Sequence, residues 1–411
     1  MKYVLLIGDG MADNPVPELN QKTPLEAARK PHMDALCAKS LLGSVRTVPP
    51  EQLPGSDTAI LSIFGCDPNR YFTGRSPLEA AGSGISVQPG DVSYRCNMVA
   101  LEDGDKPFGE KKMLSHSAGS IDGEDSMAVV SWLFANAEFR AAAEAVGMRI
   151  APTPSFRHIA IQTGGDLHGF HATPPHDILG REIGPYALCG NENAEKLWQL
   201  MELANRLLEH HPYNERRRAE GKLPANGIWF WAEGSAVKLP NFVEHYGKNG
   251  SVISAVPLVH GIGALVGLKM VHVEGATGET ETNYEGKTQA AVDCLLSGDD
   301  FVCIHVEAPD EATHNGKLDE KILSIEYIDR RVLAPLTEKL NAAGVDYRIL
   351  ILSDHKTLTD TRTHDGDPVP FMIYDSRKDQ GSGLAYTEAN GLKGLFVEPG
   401  TQLMSLLFSE T

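Results

Sequence analysis

A long apolar run is missing from the opening of the sequence. Its opening apolar run, Tyr3-Val4-Leu5-Leu6-Ile7, is five residues long, too short for a signal-peptide core or a membrane span. Paired cysteines are missing too. Cys37, Cys66, Cys96, Cys189, Cys294 and Cys303 are scattered with no CxxC pair, which argues against a disulfide framework and for reduced thiols in a cytoplasmic protein. Basic residues are scarce: 37 Lys and Arg against 55 Asp and Glu leave a net charge of −18. That balance excludes a general nucleic-acid or anionic-membrane binder, because both need basic surface to replace counterions. It does not exclude a small phosphorylated substrate, since metals or arginines can reverse the sign inside one cleft. No internal repeat or low-complexity tract occurs. What is present is globular: 42% hydrophobic and 22% charged residues over 411 positions, enough for two or three domains, or for one large domain carrying an insertion. The oligomeric state is left open.

Short apolar runs that end in polar or glycine residues recur along the chain, and each is followed by a helical pattern. Tyr3–Ile7, Phe301–Val306 and Tyr347–Leu352 read as buried parallel strands. Helical signals cover Thr23–Leu36, opening on Thr23-Pro24-Leu25-Glu26, and Ile322–Ala342. Ile228–Trp231, a helix near Asn241–Tyr246, and Ser251–Val256 extend the alternation, which predicts an α/β fold with a largely parallel sheet flanked by helices. Between about Val92 and Ala225 the sequence is less regular and richer in His, Gly and Pro, with a long amphipathic stretch at Asn193–His210. It reads as a smaller α+β cap domain (92–225) inserted into a core formed by 1–91 and 226–411.

Chemistry-bearing residues gather where this pattern puts strand ends, the edge at which open α/β sheets collect ligands. Asp9 follows the first strand in Gly8-Asp9-Gly10, as a ligand or as a turn aspartate. Ser56, in Pro54-Gly55-Ser56-Asp57-Thr58, stands at or near a helix N-cap, where backbone N–H groups and the helix dipole attract anions. A serine hydroxyl needs activation to act as a nucleophile, and no base lies nearby in sequence, so a metal is the candidate activator. Asp310 and His314, four residues apart after Phe301–Val306, share one helix face. Asp354 and His355 follow Tyr347–Leu352, and His364 comes soon after. Together these residues offer enough carboxylate, imidazole and hydroxyl ligands for two divalent ions.

The same residues carry a resemblance over most of the chain. Gly8-Asp9-Gly10, Pro54–Ser62, Phe64-Gly65-Cys66-Asp67-Pro68, Gly74–Ala80, Tyr94-Arg95-Cys96-Asn97, Thr282–Lys287, Ala308–His314, Ser353-Asp354-His355 and His364–Pro370 resemble the archaeal-type cofactor-independent phosphoglycerate mutases of the alkaline phosphatase superfamily. The resemblance implies an alkaline-phosphatase-like core and two divalent ions (Mn²⁺ first, with Zn²⁺, Co²⁺ or Mg²⁺ as alternatives). One ion would be held by Asp310, His314 and His364, the other by Asp9, Asp354, His355 and the oxygen of Ser56. Ser56 would become a phosphoserine while 3-phosphoglycerate and 2-phosphoglycerate interconvert without 2,3-bisphosphoglycerate. Lys287, Arg157, Arg181, Arg75 and His116 are the residues it suggests for substrate phosphate or carboxylate, although relatives carry His directly after Gly119, where this chain has Ser120. A homoserine-kinase-like phosphotransferase of threonine biosynthesis, a metal-dependent phosphatase and a non-catalytic binding protein on the same fold are the alternatives.

Overall fold

A computed structural model describes residues 1–409. By internal contacts the chain divides into two compact units, Met1–Phe72 with Lys238–Thr411, and Thr73–Val237.

The first unit is built on an eight-stranded sheet in the order Leu395–Val397, Leu41–Val45, Val369–Asp375, Tyr347–Leu352, Lys2–Gly8, Phe301–Val306, Gly250–Ile253 and Lys269–Val271. All but the Val369–Asp375 strand run in the same direction. The central strands read as continuous apolar runs because helices cover both sheet faces; Val4, Leu6, Val302, Ile304, Ile349 and Ile351 pack in one core with Ile325, Val332 and Leu336 from the helices. The Phe301–Val306 and Tyr347–Leu352 strands match the sequence reading residue for residue. Two of the expected helices are interrupted. Thr23–Leu36 forms two pieces, Pro24–Ala27 behind a Thr23/Glu26 capping box and Pro31–Cys37, because Pro31 supplies no N–H and disfavours helix at Lys30. Ile322–Ala342 contains a π-helical stretch at Ile328–Leu333 between regular helices. No helix among the described residues is long and apolar enough to cross a membrane.

The second unit carries a five-stranded sheet centred on Asp91–Leu101, which pairs antiparallel with Arg157–Thr163 and with Gly227–Ser235. The Glu192–Leu208 helix buries Leu197, Leu200, Met201, Ala204 and Leu208 at helical spacing, and these pack with Met98, Trp229 and Phe230. Ile228–Trp231 therefore belongs to this antiparallel sheet and does not extend the parallel series. The unit also divides from the first at Phe72/Thr73 and Val237/Lys238, outside the 92–225 limits read from sequence. The Arg75–Gly82 helix packs on the Asp91–Leu101 and Gly227–Ser235 strands, so it and both strands go with the small sheet.

Candidate metal centre

In the first unit, four chain segments meet at the carboxyl edge of the large sheet. Asp9 follows the first strand, and its N–H donates to the Val306 carbonyl. Gly10 turns the chain at φ 59°, and a Cβ there would lie 2.9 Å from the Asp310 Cα, so glycine alone fits the crossing. The Gly10 N–H donates to Asp354 Oδ1 at 3.1 Å. Ser56 is the first residue of the Ser56–Ile63 helix, with Gly55 at the cap position in extended backbone. Asp310 and His314 lie on the Ala308–His314 helix, and Asp354 and His355 follow Tyr347–Leu352. A two-stranded ribbon, Lys356–Thr357 with His364–Asp365, presents His364.

The seven residues predicted from sequence come together. Ser56 Oγ lies 3.1 Å from His355 Nε2 and 3.4 Å from Asp9 Oδ2. His355 Nε2 is 3.2 Å from Asp354 Oδ2 and 3.7 Å from Asp9 Oδ1. His314 Nε2 is 2.9 Å from His364 Nε2 and 3.2 Å from Asp310 Oδ2, while His364 Nε2 is 3.3 Å from Asp310 Oδ1. Ligand atoms of Asp9, Asp354 and His355 lie within 4.8 Å of one another, as do those of Asp310, His355 and His364, so His355 stands at the junction of the two groups.

The electrostatics of this cluster suit cations. Asp9 and Asp354 are buried, and Asp9 Oδ1 and Asp354 Oδ2 have no hydrogen-bond partner; buried carboxylate oxygens are costly unless something positive meets them. Burial, with Asp354 and Asp310 beside it, holds the Asp9 carboxyl well above its usual range. Burial also disfavours charge on Asp310, but hydrogen bonds from His314 and His364 prevail and bring it well below the usual range. The hydrogen bond to Asp310 lifts His314 to about 9, against the effect of its partial burial. Oxygen and imidazole donors in this mixture, converging with orphaned carboxylate oxygens, fit divalent metal ions.

Two residues that the sequence did not mark hold Asp9 and Asp310 in place. His305, fully buried on the Phe301–Val306 strand, sets Nε2 2.9 Å from Asp9 Oδ2 and Nδ1 3.2 Å from Ser254 Oγ. Burial first, then the charge of Lys287, pushes its pKa down to about 3, so it meets Asp9 as a neutral imidazole that donates from Nε2 to the carboxylate and accepts the Ser254 hydroxyl at Nδ1. Thr357 donates from Oγ1 to Asp310 Oδ1 at 2.6 Å. Lys287, expected at a substrate anion, is buried with Nζ on the His305 carbonyl at 3.0 Å, and burial lowers its pKa to about 8.

The remaining predicted residues lie in the second unit. Arg157 and Arg95 stack over the Trp231 ring at 5.8 and 4.5 Å, and His176 packs on the same ring. His116 packs on His176 and on Phe156, and its carbonyl accepts from Asn97 Nδ2, whose amide oxygen in turn accepts from Trp231 Nε1. His116 Nδ1 and Arg157 Nε are buried without a partner. Burial and then Arg95 lower Arg157 to about 10. Arg75 joins the group through Glu79, at 3.1 Å. Arg75 and Arg95 both pair with Glu79, and Arg157 lies beside Arg95 over the Trp231 ring. Arg181 is exposed and bonds instead to the Tyr186 hydroxyl at 2.8 Å. Arg95, in a segment that carries the resemblance, and His176 are given no role from sequence because only folding sets them beside Trp231.

Glu79 accepts from both Arg95 Nε and Arg95 Nη2. Burial alone would raise its pKa, but Arg95 dominates and brings it down to about 2 from the usual 4.5. A carboxyl depressed on folding stabilises the fold above its unfolded pKa, and that contribution is lost as pH falls from about 4.5 through about 2. Glu79→Gln should therefore cost about 3 kcal/mol at neutral pH by leaving buried guanidinium charge uncompensated. Calorimetry should show the melting temperature lowered by about 6–12 °C. A shift of less than about 2 °C would mean that the pair contributes little.

Comparison with known proteins shows the family of the chain. Residues 1–409 match the Metalloenzyme superfamily. A probable 2,3-bisphosphoglycerate-independent phosphoglycerate mutase from Geobacter sulfurreducens is 43% identical, over 99% of each chain. The 2,3-bisphosphoglycerate-independent phosphoglycerate mutase of Methanosarcina acetivorans is 42% identical, over 96% of this chain and 95% of its own. Among solved structures, a Pyrococcus horikoshii protein superimposes with a TM-score of 0.79 at 30% identity, covering 100% of this chain and 98% of the other. The cofactor-independent phosphoglycerate mutase of Thermoplasma acidophilum gives a TM-score of 0.62 at 26% identity, covering 99% of each. The chain belongs to the metalloenzyme superfamily and, within it, to the 2,3-bisphosphoglycerate-independent phosphoglycerate mutase family.

Proposed function

We propose that this chain interconverts 3-phosphoglycerate and 2-phosphoglycerate, without 2,3-bisphosphoglycerate, through a phosphoserine at Ser56. The observation that carries the reading is the position of Ser56 Oγ, 3.1 Å from His355 Nε2 and 3.4 Å from Asp9 Oδ2, beside two buried carboxylate oxygens that have no hydrogen-bond partner. Asp310, His314 and His364 would hold one divalent ion. Asp9, Asp354, His355 and Ser56 would hold the other; this mixture of imidazole and carboxylate suits Mn²⁺, Zn²⁺, Co²⁺ or Mg²⁺, of which we take Mn²⁺ first. When bound, the ions lower the pKa of the serine hydroxyl and offset the charge of the transferring phosphoryl group.

The chain's own residues then divide the work. Ser56 Oγ attacks phosphorus as the bond to the substrate's 3-oxygen breaks, and the 3-hydroxyl of glycerate leaves with a proton. Glycerate reorients, its 2-hydroxyl attacks the phosphoserine, and the Ser56 hydroxyl is restored. The N-terminus of the Ser56–Ile63 helix favours the phosphoryl charge. His305 fixes the Asp9 carboxylate through Oδ2. We assign Arg157, Arg75 and His116, together with Arg95 and His176, to the substrate's carboxylate or phosphate, on the strength of the unpartnered Arg157 Nε and His116 Nδ1 among them. The exposure of Arg181 and the backbone bond of Lys287 give those two no comparable support.

The test is an assay of the Mn²⁺-supplemented protein with 3-phosphoglycerate, following 2-phosphoglycerate and inorganic phosphate together. Mutase action gives 2-phosphoglycerate up to the equilibrium ratio with only trace phosphate release. Phosphate as the main product would replace this reading with a phosphatase. Phosphorylation of homoserine from a nucleotide donor, without formation of 2-phosphoglycerate, would replace it with the kinase-like role.

A further inference from the structure

Thr357 occupies a position at the centre that the seven predicted residues, the nucleophile among them, do not account for. Its side chain is fully buried. Oγ1 lies 2.6 Å from Asp310 Oδ1 and 3.3 Å from His355 Nδ1, and in the two-stranded ribbon Thr357 stands directly opposite His364. One hydroxyl thus touches a residue from each group of ligands, and its backbone pairs with a third.

The directions of these bonds follow from chemistry. His355 turns Nε2 toward Ser56, Asp354 and Asp9. An imidazole nitrogen must be unprotonated to ligate a cation, so the proton belongs on Nδ1. That N–H is shared between two acceptors, the Lys356 carbonyl at 3.2 Å and Thr357 Oγ1 at 3.3 Å. The Thr357 hydroxyl hydrogen is then free for Asp310 Oδ1. His355 Nδ1–H to Thr357 Oγ1–H to Asp310 is a chain with one sense, and it selects both the ligating nitrogen of His355 and the orientation of the Asp310 carboxylate.

The backbone around Thr357 is clamped from two sides. Its N–H donates to the Ala12 carbonyl at 3.1 Å, and its own carbonyl accepts from Lys321 Nζ at 2.6 Å. Lys321 is fully buried and pairs with Asp13 at 2.7 Å, and Asp13 also accepts from the Thr359 N–H and hydroxyl. This network leaves the hydroxyl little freedom to turn elsewhere, as a positioning role requires.

We propose that Thr357 is a positioning residue shared by both metal sites, its hydroxyl tying His355 of one to Asp310 of the other, so that removal of this one hydroxyl weakens metal binding at both. The proposal rests on the two-ion reading above, and metal affinity measured without turnover separates the two. Mn²⁺ binding to the full chain is measured by calorimetric titration for Thr357→Val and Thr357→Ser. Each is made in the otherwise natural sequence, in Asp9→Asn, which keeps the Asp310 site, and in His314→Ala, which keeps the Asp9 site. Thr357→Val should weaken Mn²⁺ binding about tenfold or more in both single-site backgrounds, and Thr357→Ser should restore it to within about threefold. Unchanged affinity in both backgrounds, or weakening confined to the Asp310 site, would overturn the shared role. Melting curves of the metal-free variants check folding, and Thr357→Ala is read by the same criteria if valine is not accommodated. Failure of the natural sequence to bind two ions would overturn the two-ion reading itself.

Discussion

Ser56→Ala is expected to lower the rate of phosphoglycerate interconversion by about 10⁴-fold or more, because no other group can carry the phosphoryl between the two attacks. The fold should be almost untouched. Ser56 is the first residue of its helix, and its N–H has no intrahelical partner to lose. Alanine is favourable in helix, and the hydroxyl's contacts are long, at 3.1 and 3.4 Å. The melting temperature should stay within about 2 °C of the natural protein's. Asp310, His314 and His364 do not involve Ser56, so Mn²⁺ at that site should be retained in full, with a modest loss of affinity at the other. Mass spectrometry of acid-quenched protein should find one added phosphoryl group on the natural chain incubated with 3-phosphoglycerate and none on the variant. Residual interconversion above about one per cent would end the covalent route, since direct transfer would then be competing with it.

How far such a centre can be read from a sequence depends on where its parts get their meaning. Phe301–Val306 and Tyr347–Leu352 are legible because strands covered on both faces need continuous apolar side chains, and the polar residues that follow each run fall at the ligand-binding edge. Asp310 and His314 are legible because four residues is one helical turn. His305 is different. It sits inside an apolar strand, where a lone histidine looks like a satisfied core residue, and its partner Asp9 is 296 positions away. Thr357 looks like an ordinary strand threonine until Asp310 is brought to it. Trp231 misleads in the opposite way. Ile228–Trp231 has the composition of a buried parallel strand, and it is buried, but by the Glu192–Leu208 helix and a sheet of antiparallel partners. Composition reports burial and leaves strand direction open. The division between the units was displaced for a related reason. The Arg75–Gly82 helix carries no local mark of which sheet it will cover, and only its packing on Asp91–Leu101 and Gly227–Ser235 assigns it.

Metal removal should have an effect as large as loss of the nucleophile, and it carries a consequence for stability that a purely structural cluster would not show. Chelation should abolish interconversion, and added Mn²⁺ should restore it. Saturating Mn²⁺ at about 100 times its dissociation constant should stabilise the fold by about 2.7 kcal/mol per ion, about 5–10 °C in melting temperature. Part of that gain is relief of repulsion. A carboxyl whose pKa is raised on folding, as burial and Asp354 raise Asp9, stabilises the fold below its unfolded pKa and costs stability progressively as pH rises toward its folded value. At neutral pH the metal-free chain therefore bears the cost of crowding Asp9 against Asp354. Asp9→Asn keeps the shape and removes that charge, so the metal-free variant should melt above the metal-free natural protein, by an amount equivalent to about 1–2 kcal/mol. Its further rise with Mn²⁺ should be smaller, because one of the two sites has lost a ligand. Both quantities come from one set of melting curves taken with chelator and with Mn²⁺. Full activity in chelator, or an Asp9→Asn variant that melts lower without metal and gains as much from Mn²⁺ as the natural chain, would show that the carboxylates are held by their protein neighbours and not kept for cations.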